Sequence, residues 1–257
     1  MPTLKTGDIA LQYDDLELGM NERQRIVSLI DLTSLNDDDT EEHITALCQQ
    51  ALTPLGPVAA VCVYPQFVKL AKSLLDSQIK IATVANFPCG DQPMSVIEAT
   101  ITTALAEGAD EIDVVIPYQT LTELNAENGI FSFVQAVKAT CAQSTLKVIL
   151  ESGALSDTML TIVSNAALNA GADFLKTSTG KIGIGATETA AKIMLKAICD
   201  YHESTGKWCG FKASGGVKTL AQAKAYISLA EAICGKAFIS PETMRFGASS
   251  LLKALIG

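Results

Sequence analysis

Apolar residues in this chain gather into short, nearly unbroken runs, separated by longer stretches with a helical rhythm. The runs are VAAVCVYP (58–65), IKIATVANFP (79–88), EIDVVIP (111–117), LKVILES (146–152), DFLKTST (173–179), WCGFKAS (208–214) and MRFGASS (244–250). They lack the in–out alternation of a strand with one wet face, which predicts parallel strands covered on both sides. An eighth run, IVSLIDLT (26–33), reads as a strand or as a helix end passing into a short strand.

The intervening segments carry helix signals. Ser95 and Glu98 fit a capping box ahead of VIEATITTALAEG, with Ile97, Ile101, Ala104 and Leu105 on one face and Gly108 as the stop. Thr219 and Gln222 open LAQAKAYISLAEAI in the same way. The acidic stretch NDDDTEE (36–42) is a solvated helix start, its carboxylates placed favourably on the dipole. EGADEIDVV and NAGADFLKT share a Gly-Ala-Asp junction into a strand, a weak internal repeat. Eight strands alternating with helices, at roughly one unit per thirty residues, predict a single-domain (β/α)8 TIM barrel over residues 25–257. Residues 1–24 are expected to form an N-terminal arm or helix. An open doubly wound sheet fits less well, because no G-x-G-x-x-G follows the first strand.

Composition narrows the function classes. Of 257 residues, 48% are hydrophobic and 18% charged, which suits a fold with much internal surface. The formal charge of −9 argues against nucleic acid or an anionic membrane as main partner. Seven scattered cysteines without a C-x-x-C pair, and no signal-peptide pattern at MPTLKTGDIA, predict a reduced cytoplasm. The longest uncharged apolar run, near residues 55–65, is too short and too interrupted by proline to span a bilayer.

Candidate chemistry then follows from the barrel, whose strand C-termini face the active site. Polar groups at those ends are Asp31 with Thr33, Cys62, Asn86, Asp113, Glu151, Lys176 with Thr177 and Thr179, Lys212, Ser249 and Ser250. Lys176 in FLKTSTGK and Lys212 in GFKASGG each put an ammonium at the end of a buried strand. One such lysine is most simply a core-edge residue with its stem buried and its head paired. Two, converging with the carboxylate of Asp113, point to an amine nucleophile whose pKa is lowered by desolvation and a neighbouring cation. Loops after strands seven and eight are the usual phosphate site of this fold, and SGGVK (214–218) and GASSLL (247–252) lie there. Gly215, Gly216, Val217, Gly247, Ser249 and Ser250 are the phosphate candidates there, with Lys181 and Lys218 as added charge. Asp31, Thr33, Cys62 and Thr179 are candidate substrate contacts, although a small buried hydrophobe is the simpler reading of Cys62. His43 and His202 lie far apart, and no metal-ligand spacing is evident, so neither metal nor cofactor is expected.

The motifs DLTSLNDDDT, VCVYP, ATVANFP, ADEIDVVIPY, FLKTSTGK, GFKASGGV and RFGASSLL, in that order, resemble the deoxyribose-phosphate aldolases from about Asp31 to Leu252. The resemblance implies a metal-free class I aldolase that reversibly cleaves 2-deoxy-D-ribose 5-phosphate into D-glyceraldehyde 3-phosphate and acetaldehyde. By motif, Lys176 would be the Schiff-base lysine, Lys212 the neighbour that tunes it, and Asp113 the proton-transfer group, while Gly180, Lys181, Gly215, Gly216, Val217, Ser249 and Ser250 would match the phosphate-binding positions. Two departures stand out. Ala213 and Ser214 occupy positions where many relatives have proline and alanine. Relatives of this length often carry a tail ending in tyrosine, whereas this sequence stops at LLKALIG, so slower proton exchange at the substrate carbon is expected. A homodimer is the expected assembly. The alternatives are another Schiff-base phosphosugar aldolase or transaldolase-like enzyme, and a non-catalytic phosphosugar-binding barrel.

Overall fold

The apolar runs become the staves of a barrel because each must be covered on two sides, by helices without and by its opposite numbers within. The computed structural model describes residues 21–257. Its strands are β1 (Ile30–Thr33), β2 (Ala60–Val63), β3 (Lys80–Ala85), β4 (Glu111–Val115), β5 (Thr145–Ile149), β6 (Phe174–Lys176), β7 (Gly210–Ser214) and β8 (Met244–Ala248). All pair in parallel with their sequence neighbours, and β8 closes on β1 through Ile30↔Phe246 and Asp31↔Gly247. Every residue of β2, β4, β6 and β7 is buried, as the unbroken apolar runs required.

The helices that follow the strands are α1 (Glu41–Gln50), α2 (Val68–Leu74), α3 (Met94–Ala106), α4 (Ala126–Cys141), α5 (Asp157–Asn169), α6 (Glu188–Thr205), α7 (Leu220–Cys234) and α8 (Ser250–Ile256). The chain is thus a (β/α)8 barrel, with a short antiparallel hairpin pairing Leu52 with Pro57 inserted before β2. Of the expected arm, residues 1–20 lie outside the described residues. Residues 21–27 are helical and turn into β1, the second of the two readings of IVSLIDLT.

Local signals held in part. Thr219 and Gln222 form the expected capping box on α7, and Thr40 caps α1 with Glu41 and Glu42 in its first turn. The proposed box on α3 does not form. That helix begins at Met94 with Pro93 in the cap position and no side-chain cap bond, which leaves Ser95 and Glu98 inside the helix. A proline already holds φ near its helical value and lacks the N–H that a cap would satisfy. Cys199 on α6 and Cys234 on α7, expected as free thiols, are brought together as a disulfide pair across the two helices.

The interior divides into two apolar regions. The larger lies between sheet and helices. The smaller consists of Leu35, Ala60, Cys62, Ala82 and Val84, with small side chains from β2 and β3 turned into the barrel. Those small residues leave room for long ones from the opposite wall. Lys147 and Lys212 are fully buried and are among the largest fully buried side chains described.

Candidate active site

Register places the charged residues. Lys176 on β6 is the Cα partner of Lys212 on β7, and Lys212 is the partner of Arg245 on β8. Asp113 on β4 is the partner of Lys147 on β5. Because strand side chains alternate, Glu111 and Asp113 share the inward face of β4. The result is a buried network of Lys147, Lys176, Lys212 and Arg245 with Asp31, Glu111 and Asp113.

Asp113 is its hub. Its Oδ1 accepts from Lys147 Nζ at 2.8 Å, while its Oδ2 accepts from Lys176 at 2.8 Å and from Lys212 at 2.7 Å. Lys212 also lies 2.5 Å from Asp31 Oδ2, and Arg245 Nη1 donates to Asp31 Oδ1 at 2.6 Å. Arg245 reaches Glu111 at 3.1 Å, and Lys147 reaches Glu111 at 2.5 Å. Water is excluded from nearly all of these groups, so each charge depends on its partners.

The electrostatics separate the lysines. Burial disfavours the charged form of Lys212, but Asp113 and Asp31 outweigh it and hold the ammonium above the usual lysine range. Lys147, buried against Asp113, Glu111 and Asp31, is likewise raised. Lys176 goes the other way. Burial lowers its pKa most; Asp113 opposes that, and Lys212 adds to the lowering. Asp113, despite its burial, is held well below the usual carboxylate range by Lys147, Lys176 and Lys212.

Above this network opens a cavity of about 400 Å³. Lys176 lines it, whereas Lys212, Asp113, Asp31 and Cys62 do not. Of the sequence candidates, Thr33, Thr179, Gly180, Lys181, Gly215, Gly216, Val217, Gly247, Ser249 and Ser250 also line it. Cys62 belongs to the inner apolar cluster, and burial pushes its thiol up, as for a small buried hydrophobe. Asp31 is a fully buried member of the network rather than a group on the cavity wall.

The far end of the cavity is glycine-lined and basic. Gly215 and Gly216 have φ of +78° and +96°, a left-handed turn that glycine adopts without strain. A Cβ on Gly216 would meet open space, whereas one on Gly185 would collide with the backbone of Gly215. Ala186 N–H donates to the carbonyls of Ser214 and Gly215, clamping the loop after β6 onto the loop after β7. Lys181, Lys218 and Lys253 surround this end. Lys181 lies 3.8 Å from the exposed Asp37.

The loop after β6 is fixed from two sides. Glu151, in the left-handed region at φ +51°, accepts from the Thr179 hydroxyl at 2.5 Å and from its amide. Burial raises the Glu151 pKa against those bonds. Ser178 donates to the Ser214 carbonyl at 3.1 Å, and the Ser214 hydroxyl donates back to the Ser178 carbonyl. Asn86 is a loop brace, bonded to the Val115 carbonyl and the Gln92 amide.

A lysine with a lowered pKa lines the cavity, over a buried carboxylate and opposite a glycine turn, an arrangement suited to amine chemistry. The sequence matches the DeoC/LacD family aldolases over residues 25–256. The chain belongs to that aldolase family. A Toxoplasma gondii ME49 protein provisionally assigned as a deoxyribose-phosphate aldolase superposes with a TM-score of 0.85 at 27% identity, covering 93% of this chain and 94% of that one. A deoxyribose phosphate aldolase from Aeropyrum pernix, described as a unique tetrameric structure, gives 0.68 at 27% identity, covering 95% and 96%. An aldolase named QR15 gives 0.72 at 25% identity, covering 89% and 94%.

Sequence reasoning missed several residues that the aldolase brings into or beside this site. Lys147, Glu111 and Arg245 complete the buried network. Lys253, Leu47 and Gln50 line the cavity. Lys147 and Glu111 had a legible signal, since each is a charge within an apolar strand and Glu111 sits two residues from Asp113.

Proposed function

We propose that this aldolase reversibly cleaves 2-deoxy-D-ribose 5-phosphate into D-glyceraldehyde 3-phosphate and acetaldehyde through a Schiff base on Lys176. One observation carries the reading: of the lysines in the buried network, only Lys176 lines the cavity, and it is the one whose pKa ends below the usual lysine value, because its carboxylate partner does not outweigh burial. A neutral amine with access to substrate is what imine formation requires. The glycine turn with Lys181, Lys218 and Lys253 at the other end supports a phosphate as the substrate's distal group.

In the proposed cycle, the neutral Lys176 amine adds to the aldehyde carbon of the open-chain sugar. The carbinolamine loses water, with Lys212 as the nearby ammonium that stabilises the departing hydroxyl. The 3-hydroxyl gives up its proton towards the Asp113–Lys212 pair through a water. The C2–C3 bond then breaks, its electrons pass into the iminium to give an enamine, and glyceraldehyde 3-phosphate leaves. Protonation of the enamine at C2 and hydrolysis of the imine release acetaldehyde and return the free amine.

A coupled assay for glyceraldehyde 3-phosphate release tests the substrate, and borohydride with acetaldehyde tests the intermediate. The expected result is one ethyl group on Lys176 with loss of activity. An adduct on a different lysine, or full activity after treatment, would overturn the assignment. Efficient use of longer ketone donors in place of acetaldehyde would favour the transaldolase-like alternative. Assembly into more than one copy is supported by the tetrameric relative from Aeropyrum pernix, and light scattering in solution tests it.

A further inference from the structure

At the N-terminal ends of the strands, beneath the cavity, Arg245 and Glu111 face each other across the barrel at 3.1 Å. Neither lines the cavity. Arg245 nonetheless touches Asp31, which touches Lys212, and Glu111 touches Lys147, which touches Asp113. Both chains of contact end at Lys176, through the shared Asp113.

We propose that Arg245 and Glu111 are a positioning pair that fixes the charge balance of the barrel interior, so that Lys176 is the group left without a proton. The inference rests on Lys176 being the reacting amine. The described residues of the network offer four cationic side chains, Lys147, Lys176, Lys212 and Arg245, against three carboxylates, Asp31, Glu111 and Asp113. With all seven charged the interior holds a net positive charge, and a buried net charge is costly. Loss of one proton balances it. Lys176 is the cheapest donor because it has one carboxylate partner, whereas Lys147, Lys212 and Arg245 each reach at least two.

Among the described residues, two further titratable groups face Lys176, Cys62 and Glu151, and neither is ion-paired within the network. β2 contributes the Cys62 thiol, kept neutral by burial. The loop after β5 contributes Glu151, tied to Thr179. The inward residues of β3 are Ala82 and Val84. Phe174 on β6 packs under the Arg245 guanidinium, 5.7 Å from its centre.

Removing Arg245's charge leaves three cations against three carboxylates, so Lys176 should keep its proton. Removing Glu111's charge favours proton loss even more strongly. Removing both restores the original excess of one cation. The test is competitive acetylation of Lys176 by acetic anhydride across a pH series, read by peptide mass spectrometry, which needs neither substrate nor turnover. In Arg245→Gln the Lys176 labelling rate near neutral pH should fall roughly tenfold, about one pKa unit, because the Asp31 and Glu111 charges that it no longer neutralises act on Lys176 through Lys212, Lys147 and Asp113. Glu111→Gln should shift the labelling profile to lower pH. The double variant and Arg245→Lys should both return towards the wild-type profile, which a purely structural role would not predict.

An unmoved profile in Arg245→Gln, or a double variant no closer to wild type than the single ones, overturns the proposal. If Arg245→Gln does not fold, Glu111→Gln decides, and an unshifted profile there overturns it equally. Absence of any acetaldehyde adduct on wild-type Lys176 would instead defeat the Schiff-base reading, an outcome the labelling experiment leaves separate.

Discussion

Lys176 and Lys212 are Cα partners on adjacent strands, yet their ammonium groups meet at a single oxygen, Asp113 Oδ2, at 2.8 and 2.7 Å. Sharing that acceptor makes them competitors for one negative charge. Lys212 prevails because it also holds Asp31 at 2.5 Å, and Lys176 has no second carboxylate among the described residues. The sequence pointed to desolvation and the neighbouring charge of Lys212 as joint causes of a lowered Lys176 pKa. In the structure burial has the larger effect, and the charge of Lys212 acts second, partly spent on its own two partners.

Replacing Lys212 with leucine should therefore protonate Lys176 rather than merely weaken it. Asp113 would lose one of its three cations and pull harder on Lys176. We expect the kcat/KM near neutral pH to fall by about a hundredfold or more, an effect of roughly 2.7 kcal/mol. Partial recovery should follow as pH rises and the amine deprotonates. The pH profile of the variant, with folding checked by circular dichroism, is the measurement. A loss that stays flat with pH would show that Lys212 acts only as an acid.

Gly216 offers a test of the opposite end of the cavity. Its φ is +96°, and a side chain there would project into open space beside the turn. Gly216→Leu should raise KM for the phosphorylated sugar by about tenfold, roughly 1.4 kcal/mol. Unphosphorylated deoxyribose should change far less. Equal losses on both substrates would reduce Gly216 to a turn residue.

Barrel, strand order and the two strand-end lysines were legible because they depend on local pattern. Unbroken apolar runs identify doubly covered strands, and a lysine at the end of one is conspicuous. The ion network was less legible, since it depends on register between strands far apart in sequence. Nothing local to RFGASS reveals that Arg245 lies in the row of Lys176 and Lys212. Ser95 and Glu98 misled for a related reason: the spacing suits a capping box, but Pro93 caps the helix two residues earlier than that box requires. Lys253 was invisible because a helix residue reaches the cavity only once α8 is docked.

Lys218 and Lys253 line the basic end of the cavity, and neither has a carboxylate within ion-pair distance among the described residues. Each alanine substitution should raise KM for the phosphorylated sugar by about two- to fivefold, as expected for a partly exposed pair worth ~0.5–1 kcal/mol. The effect should shrink with added salt, because these charges face solvent. KM values at low and high ionic strength check it. A salt-independent effect would mean that the lysine stems, not their charges, shape the site.

Asp31 links the site to stability. Lys212, Arg245 and Lys147 overcome the burial penalty and hold its pKa below the reference 3.8. A carboxylate with a depressed folded-state pKa stabilises the protein above its unfolded value, and that contribution is lost as pH falls towards the folded value. Asp113 behaves in the same sense. Unfolding free energy should consequently fall as pH drops below about 4, and be nearly insensitive to these two groups above about 5. Asp31→Asn removes one of those carboxylates and leaves Lys212 and Arg245 each short of a buried partner. It should cost about 3–5 kcal/mol near neutral pH, the usual scale for breaking a buried pair from one side. Its acid slope should also be shallower than that of the wild type. Urea unfolding at a series of pH values measures both. A variant with the wild-type slope would show that Asp31 carries no part of the acid sensitivity, and that Asp113 carries it through its three lysines.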